Sequence, residues 1–209
     1  MRSENAASNE GRIAGWLLVG SAALAVLLLT QHPTEADGPM LARGVHGGIL
    51  LLMLAQAIGF TLLIRARRGV WDVAGSPVYA LGLIAGMGAG MVDGFIVPAT
   101  LEHFPRAENP ALFQALWEVN QALAPAGVLL TSLAYSLWGI GYWLSGHRVT
   151  AALAWGAAAV PAAVLLGGIV TMKIAGALLV YTIQAAWAAW VGCTILSTRG
   201  NVLPSGLKK

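Results

Sequence analysis

Six long apolar stretches alternate with short polar ones along the chain, at residues 13–30, 45–64, 78–100, 119–144, 149–170 and 172–196. A hydrocarbon layer of ~30 Å takes ~20 apolar residues in a helix. Lipid offers nothing to a backbone amide, so each stretch must close its hydrogen bonds internally. The pattern therefore predicts an all-α fold, a polytopic membrane helical bundle of about six transmembrane helices. The last two stretches leave almost no loop between them and predict a tight hairpin. One transmembrane domain is expected over residues 13–197, with tails at 1–12 and 198–209. The first apolar run exceeds the ~7 to 15 residues of a secretory signal core. Arg2 and Arg12 stand before it with Glu4 and Glu10 in place of a basic cluster, which reads as a retained helix.

Composition agrees with a lipid environment. Charged residues make up 10% of the 209, against ~25% in soluble domains, and the mean hydropathy is +0.72. The formal charge of +3 matters mainly through its placement. With the N-terminus inside, the cytoplasmic side receives Arg2, Arg12, Arg65, Arg67, Arg68, Arg148, Arg199, Lys208 and Lys209, and the opposite side only Arg43, Arg106 and Lys173. Basic residues are retained inside during insertion, so both termini are expected in the cytoplasm. Trp16, Trp71, Trp117 and Trp143 fall near helix ends, where indoles favour the headgroup region. The basic residues thus have a topological role, and no nucleic-acid partner is expected. A single cysteine, Cys193, excludes an intrachain disulfide, a paired-cysteine metal site and Cys-x-x-Cys-His haem attachment. Abundant Ala, Gly, Arg and Trp with few Lys suggests, by association, a GC-rich bacterial genome and an inner membrane.

Two outer loops carry the polar groups. Residues 31–44 include His32, Pro33, Glu35, Asp37 and Pro39, and residues 101–117 include Glu102, His103, Glu108 and Asn109. Asn109 before Pro110 reads as a helix N-cap with proline at the first helical position, opening a lead-in to the fourth span.

Within the third span, Gly82, Gly86, Gly90 and Gly94 recur every four residues and predict a packing groove for a neighbouring backbone. Ala85, Ala89, Asp93 and Val97 form the adjoining stripe. A carboxyl inside a span costs ~3 kcal/mol or more to insert, so Asp93 marks a functional position or a register-fixing hydrogen bond. Its depth selects partners at the outer ends of other helices: His46, Glu102, His103, Glu118, Asn120, Gln121 and Lys173. His46, Asp93, His103 and Glu118 together suit a transition metal, Zn, Cu or non-haem Fe. None of the compact metal-binding spacings is present to specify it. Gln56 and Gln184 lie near mid-membrane, where an amide usually bonds to another helix. Thr131, Ser132, Tyr135 and Tyr181 could extend a polar track inward from Asp93. Met53, Met87 and Met91 offer thioethers for Cu(I), or fill gaps beside the glycines. Gly48, Leu50, Leu51, Gln56 and Ala57 recur at one offset as Gly176, Leu178, Leu179, Gln184 and Ala185, a faint internal repeat.

Loops of this length cannot bury a core, so any chemistry belongs to the bundle or its outer rim. The sequence favours a non-catalytic accessory subunit or small-ligand binder, with a His and carboxylate pocket opening to the outer, periplasmic face. A proton-coupled transporter using Asp93 is one alternative, and a metal-dependent oxidoreductase or metal-handling subunit another. Lipid is the surrounding partner, with other membrane subunits or a homo-oligomer expected.

Overall fold

The computed structural model describes residues 2–33 and 38–197, with side chains from residue 9 onward. Among the described residues six helices are long and apolar enough to cross a membrane. They are α1 (Arg2–Thr30), α2 (Pro39–Arg67), α3 (Val70–His103), α4 (Pro110–Leu144), α5 (Arg148–Leu166) and α6 (Ile174–Ser197). The expected tail at 198–209 and the loop acids Glu35 and Asp37 lie outside the described residues.

The helices outrun the apolar stretches because their ends carry good starting and helix-forming residues. Residues 2–12 continue α1 as helix, with the apolar part starting at Asn9. Pro39 at the start of α2 has no N–H to leave unsatisfied and has its φ preset, so the helix begins inside the expected loop. Asn109 does precede α4, and Pro110 opens it, but the Asn109 side chain makes no cap. Its Nδ2 donates to the Pro105 carbonyl at 3.2 Å instead. The lead-in at 110–117 is continuous with the fourth span.

Contacts join each helix to its chain neighbours and α6 back to α1, so the six close a ring. Packing is heaviest between α3 and α4, where glycine removes the obstacle to close approach. A Cβ on Gly82 would stand 3.0 Å from the Gly127 carbonyl, and one on Gly127 would stand 2.8 Å from the Gly86 nitrogen. The other two glycines of the stripe behave differently. Gly90 and Gly94 meet Leu50 and His46, side chains of α2. A four-residue repeat drifts by ~40° per step on a 3.6-residue helix. The stripe therefore turns from α4 towards α2 along its length.

At the end of the ring that carries Arg67, the interior is filled by aromatic rings from four helices. Phe60, Tyr79, Tyr135, Trp138 and Trp187 stand with Tyr135 and Trp187 centroids 4.3 Å apart, Phe60 and Trp138 4.9 Å, and Tyr79 and Trp138 5.2 Å. Such pairs add ~0.5–1.5 kcal/mol each beyond their burial. Trp138 lies against Gly75, where a Cβ would collide with the indole, and its Nε1 donates to the Asp72 carbonyl at 3.1 Å. Trp187 Nε1 donates to the Thr150 carbonyl at 3.2 Å.

Beneath this layer sits an ion pair. Arg67 Nε lies 3.3 Å from Asp72 Oδ2, with the two side chains 14% and 6% exposed. The Arg67 guanidinium also covers the Tyr142 ring at 3.6 Å, a cation–π contact. Asp72 is the third residue of α3, and its carboxylate lies against the capping residue Gly69. Arg67 at a helix C-terminus and Asp72 at a helix N-terminus each complement the local dipole.

Candidate functional site

The other half of the ring is open inside. A cavity of about 1080 Å³ runs from the loop bearing His32 down to the layer of Gln56, Tyr135 and Gln184. Apolar side chains of several helices line it, including Leu29, Leu50, Leu83 and Val97, with Met172 from the loop before α6. Its polar groups gather at two depths.

The upper group is built on an irregular turn of α3. Between Val92 and Ile96 the helix widens to a π turn, with the Val97 N–H bonding to the Val92 carbonyl. Pro98 has no N–H for the Gly94 carbonyl, so regular α bonding is already broken there. Single π turns recur at functional positions because they re-aim one side chain. The residue in this turn is Asp93. Gly94 beside it has no side chain, which lets His46 of α2 pack against the turn: a Cβ there would collide with the imidazole.

His32, His46 and Asp93 each bring one ligand-type atom to within 4.8 Å of the others. The two imidazoles stand edge to face, their centroids 4.9 Å apart. His46 is buried at 6% exposure, and its Nδ1 lies 2.9 Å from the Ala42 carbonyl. His32 Nδ1 lies 3.0 Å from the Pro33 carbonyl. A carbonyl can only accept, so each Nδ1 is the donor, and in the neutral imidazole this leaves Nε2 as the lone-pair nitrogen. Asn120 faces the Asp93 carboxyl. Its Nδ2 donates to the Ala89 carbonyl at 3.1 Å, and its Oδ1 accepts from Gln121 Nε2 at 3.2 Å.

No family model, curated protein or solved structure matches the chain.

Of the residues singled out from sequence, His46, Asp93, Asn120 and Gln121 meet at the upper group. His103 and Glu118 stand apart from it. His103 is exposed at the last residue of α3, about 15 Å beyond Asp93 by helical rise. Glu118 is exposed and accepts Gln114 Nε2 at 2.9 Å. Two residues along a helix is a rotation of ~200°, so α4 cannot turn Asn120 inward and Glu118 inward together. Glu102 is taken up at the rim by Arg43, at 2.7 Å. His32 takes the place these residues leave, and sequence reasoning passed over it as a loop histidine.

The lower polar group holds the two mid-membrane glutamines. Gln184 Nε2 donates to the Val128 carbonyl at 3.1 Å and to Ser132 Oγ at 3.2 Å. Gln56 Nε2 reaches Tyr135 Oη at 3.4 Å. Both therefore bond to α4, from the two helices that flank α1. Thr131 and Tyr181 line the same cavity. Met53 fills the space over Gly86, with its Cε 2.9 Å from where a Cβ would stand.

Proposed function

We propose that the protein binds a small amphiphilic molecule in this cavity, admitted from the outer face of the membrane. The observation that carries the reading is the cavity itself, about 1080 Å³ with apolar walls and polar groups at two depths. Ligand sites are typically concave, ~300–1,000 Å³ and largely apolar, with a few polar groups fixing orientation. Here the upper group would hold one polar end of a ligand, and Gln56, Thr131 and Gln184 the other. The Lys and Arg bias makes the His32 end the outer one, and the aromatic layer with the Arg67–Asp72 pair closes the inner end.

The test is chemical extraction of protein purified in lipid nanodiscs, read by mass spectrometry. Wild-type protein is expected to retain a small organic molecule that Ala124→Trp lacks, since Ala124 lines the cavity and an indole there would fill it. Leu133→Trp, on the exposed surface of α4, is expected to retain it. Identical extracts from all three would remove the reading.

The closed inner end also favours a second reading, a transporter captured open to the outside with Asp93 as its titrating group. Proton uptake into proteoliposomes, followed with an entrapped pH dye, is then expected to fall in Asp93→Asn to the level of protein-free vesicles. Uptake equal to wild type would exclude proton coupling through this residue.

A further inference from the structure

We infer that His32, His46 and Asp93 form a binding site for one divalent first-row transition ion of the zinc class, with an open coordination position facing the cavity. The inference does not depend on the cavity's organic ligand, because the three side chains make the site among themselves.

Several observations point the same way. The donor atoms lie within 4.8 Å of one another. An ion bound at ~2.1 Å spaces its ligands by at most ~4.2 Å, so modest side-chain rotation closes the set. The hydrogen bonding favours ligation through Nε2: Nδ1 of each imidazole is held by a backbone carbonyl, Pro33 for His32 and Ala42 for His46. That outer-shell arrangement characterises metal-ligating histidines. The carboxyl has the Asn120 amide beside it, and Ala89 and Gln121 hold that amide in place. A buried imidazole beside an intramembrane carboxyl is costly to build for packing alone. The π turn at Asp93 and the glycine beneath His46 are both local departures that bring these groups together.

The donor set limits the ion. Two nitrogens and a carboxylate suit Zn²⁺, Co²⁺ or Fe²⁺, whereas Ca²⁺ wants six to eight oxygens and Cu⁺ prefers sulfur. Three protein ligands leave at least one position for water or a bound molecule, as in zinc sites that keep an exchangeable ligand.

Equilibrium dialysis of the full chain in detergent, free of any affinity tag, against Zn²⁺ tests the assignment, with Co²⁺ visible spectra as a second readout. One ion per chain is expected, and Co²⁺ should give d–d bands of a nitrogen- and oxygen-ligated site. His32→Gln and Asp93→Asn are each expected to abolish both signals. His32 lies on a loop at the end of α1, so its variant leaves the helices intact. Asn120→Leu is expected to weaken binding about 10- to 100-fold through the outer shell, and His103→Gln to leave it unchanged. Failure of wild type to bind one ion, or equal binding in His32→Gln and Asp93→Asn, overturns the site. Loss of binding in His103→Gln would place the ion elsewhere and overturn it as well.

Discussion

Arg67→Ala is expected to lower the folding stability of the bundle by about 3 to 5 kcal/mol, the cost of breaking a buried pair and leaving one charge uncompensated. Asp72 would lose the guanidinium 3.3 Å away, at a side-chain exposure of 6%. The same substitution removes the cation from the face of Tyr142. Denaturant unfolding in mixed micelles measures the loss. Arg67→Met combined with Asp72→Leu is expected to recover most of it, because a pair replaced by apolar residues of similar size leaves no orphaned charge. A double variant as unstable as Arg67→Ala would show that packing, and not charge, sets the cost.

Trp138→Ala is expected to cost about 3 kcal/mol. In water-soluble proteins truncating a core Trp loses 3–5 kcal/mol, part transfer from water and part the cavity left behind. In a membrane the transfer part shrinks, since lipid is already apolar, and lost contacts dominate. Trp138 touches Phe60, Tyr79, Tyr135 and Trp187, lies over Gly75, and bonds to the Asp72 carbonyl. Its removal would also thin the layer between the cavity and the Arg67 end. Unfolding in the same micelles gives the energy, and a loss below about 1 kcal/mol would contradict the role given to this layer.

The bundle was legible because backbone chemistry leaves a spanning segment so few options. Long apolar runs must be helices, and their number and alternation follow. Asp93 stood out for the same reason, as a lone carboxyl in a segment where insertion is costly. Its surroundings were less legible. His32 sits in a loop, where periodicity says nothing about direction, so nothing in the sequence paired it with His46. Glu118 and Asn120 had equal standing as neighbours of Asp93 until helical rotation separated them, although that argument needs only their spacing. The π turn had a signal in Pro98, four residues after Gly94. Asp72 was hidden by placing the start of the third span eight residues late, and Gly69 followed by an acid at the third helical position marked the true start. Ring closure of α6 onto α1 has no local signature at all.

Thiol labelling of intact cells tests most directly the proposal that the cavity opens to the outer face. In a Cys193→Ser background, Val97→Cys and Ala177→Cys place single thiols on the cavity wall, and Val191→Cys places one in buried packing away from it. A membrane-impermeant maleimide added outside is expected to modify the first two and spare the third. Protection of both cavity positions from outside, whether or not they react in inverted vesicles, would contradict a cavity open to the outer face.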